Sequence, residues 1–161
     1  MPAADADVPP SVADDFAAFY ARVERPLAVA LAARYGPQAG REAAVDALAW
    51  AWEHWERVEA MTNPLGYLYR VGQTQARRHR RAPRPVTSEP VVASADDQPV
   101  ELAEALRALT KRQRQVVVLA HGYGLTHREI ADLLGIARSS VQNHAERGLA
   151  KLRAHLEADR P

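Results

Sequence analysis

The chain has 161 residues, 47% of them hydrophobic and 25% charged, with 21 basic groups against 20 acidic ones. That is a globular composition, and the length suits one domain or two small ones. The absence of cysteine excludes disulfides, thiolate zinc sites and cysteine nucleophiles. No apolar run approaches the roughly 20 residues needed to span a bilayer. The N-terminal MPAADADVPP lacks the basic-then-apolar order of a signal peptide, so a cytoplasmic location is expected. Ala is abundant and aromatics are only 6%, which favours closely packed helices and an all-α fold.

Charge is segregated along the chain. Residues 1–60 carry 5 basic and 10 acidic groups, whereas residues 61–85 carry 6 basic and none acidic. Residues 86–106 carry 5 acidic groups and none basic, and residues 107–161 carry 10 basic and 5 acidic. Two positive blocks separated by a negative one suggest a polyanion contacted at two places, such as nucleic acid.

Residues 1–11 read as a disordered tail. From Asp14 to Tyr35, Phe16, Phe19, Tyr20, Val23, Leu27, Ala30 and Leu31 recur at helical spacing. Pro26 inside that run is expected to kink the helix or start a second one, and Gly36-Pro37 ends it. A further helix is expected over Arg41–Arg57, with Val45, Leu48, Trp52 and Trp55 on its apolar face. Asp46, Trp50, Glu53, His54 and Arg57 take the opposite face. Trp50 is therefore expected to point outward, as a large exposed aromatic suited to a partner contact.

Asn63-Pro64 opens the next helix: Asn caps, and Pro fits the first turn, where a missing N–H costs nothing. This helix is expected to reach Arg81, burying Leu65, Leu68, Tyr69, Gly72 and Ala76. Tyr67, Arg70, Thr74, Arg77, Arg78 and Arg81 form a basic stripe with one aromatic on the other side. Arg forks suit phosphate oxygens and aromatic faces suit unstacked bases. Residues 82–99 have no helical period and read as a flexible, Pro-containing linker. The 17 residues 82–98, fully stretched, reach about 55–60 Å at about 3.3–3.6 Å each.

Residues 100–158 are expected to form a second small helical domain. Leu102, Ala105, Leu106 and Leu109 outline one helix, and Thr110 caps another that buries Val116, Val117 and Ala120. Thr126 and Glu129 fit a capping box. Ile130, Ala131 and Leu134 face inward on the short helix that follows, and Gly135 supplies the left-handed residue that ends it. After Ile136 a last helix buries Val141, Ala145, Leu149 and Leu152. A small Ala131, a turning Gly135 four residues on, and Val141 six after that satisfy three independent steric requirements of a helix-turn-helix.

The second helix of such a motif lies in the major groove. Its outward residues are Ser139, Ser140, Asn143, Glu146 and Arg147, flanked by Arg138 and Gln142. Asn and Gln suit adenine, and Arg suits guanine or phosphate. Glu146 accepts from a cytosine amine or orients Arg147, while Lys151 and Arg153 lie nearer phosphate.

The order of parts now matters. The leading helical segment with EAAVDALAWAWEHW and NPLGYLYRVG, the linker, and the terminal LTKRQRQVVVLAHGYGLTHREIADLLGIARSSVQNHAERGLAKLR resemble the extracytoplasmic-function group of bacterial RNA polymerase sigma factors. The resemblance covers about residues 14–156. It implies a dissociable promoter-recognition subunit whose partners are core RNA polymerase and promoter DNA. In many members an anti-sigma factor is a further partner. No cofactor or metal is implied.

On that resemblance, residues 12–81 correspond to the part that binds the polymerase clamp and opens the −10 element. Residues 82–99 correspond to the connecting linker, and 100–158 to the part that reads the −35 element. Glu42 and Asp46 fall where the family places clamp-facing acids, with Trp50 beside Asp46. The loop Val58–Asn63 occupies the position that captures a flipped −10 base. Tyr67, Arg70, Thr74, Arg77, Arg78 and Arg81 then meet the promoter near −10. Arg138, Ser139, Ser140, Gln142, Asn143, Glu146, Arg147 and Lys151 meet the −35 element. Val45, Thr74 and Ala137 depart from the family's frequent Gln, Asn and Ser.

A stand-alone helix-turn-helix regulator shares the terminal motif but not the Asn-Pro basic helix or the tether. An enzyme is not expected. His121, His127, His144 and His155 match no metal-ligand spacing, and there is neither a nucleophile elbow nor a phosphate-cradling Gly loop.

Overall fold

The computed structural model describes residues 11–81 and 100–158. Residues 1–10 of the expected tail, the expected linker 82–99, and the side chains of Arg80, Arg81 and Val100 lie outside the described residues. Among the described residues there is no strand. The first half holds α1 (Val12–Tyr35), α2 (Pro37–Glu53), α3 (Trp55–Glu59) and α4 (Pro64–Arg81). The second holds α5 (Val100–Arg107), α6 (Lys111–Val117), a π-helical turn (Val118–Gly122), α7 (His127–Leu134) and α8 (Arg138–Ala158).

Ser11, assigned to the tail from sequence, instead caps α1. Its Oγ accepts from the Asp14 N–H at 3.2 Å, and Asp14 Oδ2 accepts from the Ser11 N–H at 3.0 Å. The Ser11 hydroxyl also donates to Asp14 Oδ2 at 2.7 Å; this bond foremost, and then that from the Ser11 N–H, holds the Asp14 carboxyl below its ordinary value of 3.8, because both favour the charged form. α1 continues through Pro26, which is buried within it, and no second helix starts there.

The face of α2 differs from expectation. Gly40, Ala43, Ala44, Ala47, Leu48 and Ala51 point inward, while Val45 and Trp52 are 58% and 50% exposed. The reason is the distance between helices. A Cβ built on Gly40 would lie 2.3 Å from the backbone of Ala32 in α1, so the two helices touch backbone to backbone there, and the rest of the inward face is all alanine except for Leu48. Bulky Val45 and Trp52 are excluded from it, although their spacing is helical. α2 also stops at Glu53; the break at His54 (φ −121°) lets Trp55 turn inward from α3. α4 buries Leu65, Leu68, Tyr69, Gly72 and Ala76 as its spacing predicts.

In the second half, α8 packs on α5, α6 and α7. A small apolar cluster joins Ala105, Leu109, Val117 and Leu152. The main core does not stop at the linker. Leu27, Leu31, Leu68 and Tyr69 of the first half share one cluster with Val116, Leu119, Leu125, Ile130 and Leu133 of the second. The two helical halves are therefore docked. Asn63 pins the seam: its Oδ1 accepts from the Gly66 N–H at 3.0 Å, and its Nδ2 donates to the Asp132 carbonyl at 2.8 Å. An Arg25 guanidinium N–H also donates to the Tyr123 carbonyl at 2.9 Å.

Candidate nucleic-acid and partner interfaces

The helix-turn-helix is built as its local chemistry requires. Thr126 and Glu129 cap α7 reciprocally: Thr126 Oγ1 accepts from the Glu129 N–H at 3.2 Å, and Glu129 Oε2 accepts from the Thr126 N–H at 2.8 Å. At the other end Gly135 takes φ 63° and ψ 38°, a region that penalises any Cβ. Its N–H donates to the Asp132 carbonyl at 3.3 Å, and the Ile136 N–H donates to the Ala131 carbonyl at 3.1 Å. That pair of bonds is a Schellman stop, which sets the angle at which α8 leaves. Ile130, Ala131, Val141 and Ala145 are buried as expected; Leu133 is the deeper member of the Leu133-Leu134 pair. Leu149 and Ile136 are half-buried.

α8 then presents Arg138, Ser139, Gln142, Asn143, Glu146, Arg147 and Lys151 as exposed residues, with Ser140 half-buried beside them. Glu146 accepts from Gln142 Nε2 at 2.9 Å, so it orients Gln142 and not Arg147. Arg147 is left on the same exposed face without a described carboxylate partner.

On α4 the stripe Tyr67, Arg70, Thr74, Arg77 and Arg78 lies opposite the buried residues, with all but half-buried Tyr67 exposed. Thr74 Oγ1 donates to the Arg70 carbonyl at 3.2 Å, and Arg70 Nε donates weakly to the Gly66 carbonyl at 3.4 Å. Arg81 lies at the end of α4, with its side chain outside the described residues.

Trp50 does not point outward as expected. It is half-buried against the core, stacks on His54 with centroids 4.4 Å apart, and lies 5.4 Å from the Tyr67 ring. The Arg57 guanidinium sits over both rings, 6.0 Å from Trp50 and 5.8 Å from Tyr67. The cause is the end of α2: residues 50, 54 and 57 curl toward the first turn of α4 where the helix breaks. Trp50 thus belongs with Tyr67, beside the connection between α3 and α4; of the expected loop Val58–Asn63, Val58 and Glu59 instead complete α3, with Val58 fully buried, and only residues 60–63 are left between the helices.

The outward face of α2 carries Glu42, Val45, Trp52 and Glu53, with half-buried Asp46 at its edge. Asp46 Oδ2 lies 2.7 Å from His79 Nε2 on α4. The Trp52 ring packs edge-on against Phe16, centroids 4.9 Å apart. Val45 and Trp52 were absent from the sequence-based set because their period placed them inside. Their size among the alanines of α2 was the available signal.

Among the described residues no group of three or more His, Cys, Asp or Glu side chains could hold a metal ion. No described helix is long and apolar enough to cross a membrane.

Residues 100–152 match the family model described as Sigma-70, region 4. The chain is 32% identical over 121 residues to the RNA polymerase sigma-E factor of Streptomyces coelicolor, covering 70% of this chain and 68% of that one. It is 35% identical over 63 residues to the RNA polymerase sigma factor SigO of Bacillus subtilis, covering 39% and 36%. Among solved structures it is similar to CnrH in complex with the cytosolic domain of CnrY, with a TM-score of 0.52 at 25% identity over 90% of this chain and 89% of that one.

Proposed function

This chain belongs to the RNA polymerase sigma factor family, as its resemblance to the extracytoplasmic-function group implied, and from that premise we propose how its surfaces divide the work of starting transcription. Residues 12–81 bind core RNA polymerase and open the −10 element; residues 100–158 read the −35 element; residues 82–99 join them. The factor acts in the cytoplasm, and the catalysis belongs to the polymerase.

The observation that carries this reading is the pairing of two exposed cationic faces, one on each half, of which the second is the outer face of a capped helix-turn-helix. In the −35 reading, Arg138, Ser139, Ser140, Gln142, Asn143 and Arg147 face base edges, with Glu146 holding the Gln142 amide and Lys151 on phosphate. In the −10 reading, Arg70, Thr74, Arg77, Arg78 and Arg81 track the backbone. The cluster of Trp50, His54, Arg57 and Tyr67 offers aromatic faces beside the loop where a flipped base is captured. Polymerase meets the outer face of α2 through Glu42 and Asp46. Trp50, grouped with them from sequence, supports that face from behind, and exposed Val45 and Trp52 add its apolar contact. An anti-sigma factor is a natural competitor for that face.

Core polymerase and this protein, combined over fragmented genomic DNA and followed by run-off sequencing, are expected to start transcription at a defined promoter set that neither component uses alone. No stimulated start site anywhere would refute the reading. Within it, Arg147→Ala is expected to weaken promoter binding by about 1–3 kcal/mol and to relax preference at one −35 position. An unchanged footprint would remove Arg147 from base readout.

A further inference from the structure

A cavity of about 490 Å³ lies at the seam between the docked halves. Arg34 of α1 and Arg70 of α4 line it from one half, and Lys111 and Arg112 of α6 from the other. No described Asp or Glu side chain lines it. None of the four cations forms an ion pair with a described carboxylate. Their other contacts are neutral: Arg34 lies 5.5 Å from the Tyr35 ring, Arg70 donates to the Gly66 carbonyl, and Arg112 donates to Gln115. Docking therefore gathers four exposed positive charges around one concavity, where a bound anion would pair with several of them at once.

A second cavity of about 280 Å³ shares Arg34, Tyr69, Lys111 and Gln115 with the first. Its remaining wall is largely apolar, from Ala30, Ala33, Val118 and Leu119. Arg114 also reaches it, but its guanidinium is committed to the carbonyls of Leu106, Arg107 and Leu109. The seam thus offers a cationic chamber next to an apolar one, and the larger falls within the roughly 300–1,000 Å³ usual for small-ligand sites, which favour boundaries between domains. Guanidinium forks match phosphate oxygens, and an apolar slot beside Tyr69 matches a planar ring. The four cations are exposed and converge on one concavity from both halves, an arrangement that suits a compact polyanion better than a straight duplex.

We propose that this seam binds a nucleoside polyphosphate, its phosphates among Arg34, Arg70, Lys111 and Arg112 and its ring in the apolar chamber. Because the cations come from both halves, the ligand favours the docked arrangement over a separated one and shifts the population toward it. One consequence rests on the promoter-reading role given above: the same ligand withholds Arg70 from DNA.

The test is isothermal titration calorimetry on the full chain, without polymerase or DNA, using ATP, GTP, tripolyphosphate and adenosine as probes. At least one nucleotide is expected to bind, tripolyphosphate to bind more weakly, and adenosine not to bind. Arg34→Ala and Lys111→Ala should each weaken nucleotide binding about tenfold, the loss of one charge-assisted contact, with unchanged circular dichroism. Arg128→Ala, exposed on α7 and away from both cavities, should bind like the parent. No binding at millimolar nucleotide, an equal loss in Arg128→Ala, or tripolyphosphate matching the nucleotide would each overturn the assignment. A chain that supports run-off transcription yet binds no nucleotide refutes the seam ligand alone; the reverse result refutes only the promoter reading.

Discussion

The two halves of this molecule are assembled on different terms. In the second half, order is imposed locally: reciprocal caps at Thr110 and Thr126, a left-handed Gly135, and a Schellman stop determine where each helix begins and ends. In the first half, beyond the caps at Ser11 and Asn63, order is imposed by proximity. The alanine face of α2 meets α1 so closely that bulk is forced outward, and Trp55 reaches the core only because α2 breaks at His54. The lesson is that a helix end can be specified within a few residues, whereas the inward face of a tightly packed helix depends on how near its neighbour comes. The same contrast bears on the proposed function, since the face proposed for the −35 element rides on the locally specified half and the face proposed for polymerase on the packed one.

Substitutions can press on this contrast. Leu68→Ala, at a fully buried site on α4, should destabilise the protein by about 2–5 kcal/mol, measured by urea denaturation. Retention of full stability would mean that the first half is not packed as described. Gly40→Ala should cost about 1–3 kcal/mol, because its new Cβ meets backbone that cannot yield like a side chain. Its counterpart Trp52→Ala, despite removing the larger group, should change stability by less than about 1 kcal/mol while lowering polymerase affinity in a pull-down. The reverse ranking would restore the face expected from periodicity.

In the second half, Thr126→Ala should cost about 1 kcal/mol, and its effect should concentrate in slowed or weakened −35 binding as the first turn of α7 frays. Hydrogen exchange at the Glu129 amide would report it directly. The smallest effect belongs to α1. The carboxyl of Asp14 is lowered in the folded chain, so its contribution is present above the ordinary aspartate value of 3.8 and is lost as pH falls through the lower folded value. Amide exchange in the first turn should therefore rise in acid, and Asp14→Asn should flatten that dependence.

Much of the candidate site was legible because it obeys short-range rules. Arg70, Thr74, Arg77 and Arg78 share the exposed side of α4 because Leu65, Leu68, Tyr69, Gly72 and Ala76 claim the other, a division visible in spacing alone. The outward face of α8 followed likewise from Val141 and Ala145. Trp50 and Trp52 exchanged roles because periodicity counts apolar residues without weighing their volume against the space available. The Glu146–Gln142 bond follows the i, i+4 spacing of a helix, whereas Arg147, the adjacent residue, does not face Glu146.

By itself, the order of residues determined an all-helical chain in two parts, the helix-turn-helix with its caps and glycine turn, and the two basic faces. Each of these depends on interactions within a turn or two of helix, where sequence separation and spatial separation nearly coincide. Only the tertiary structure decided which side of α2 is buried, where Trp50 turns, and that Asn63 joins the first half to Asp132, bringing Arg34 and Arg70 together with Lys111 and Arg112. Those outcomes depend on contacts between residues dozens of positions apart, whose geometry is set by the packing of whole helices and leaves no period in the chain.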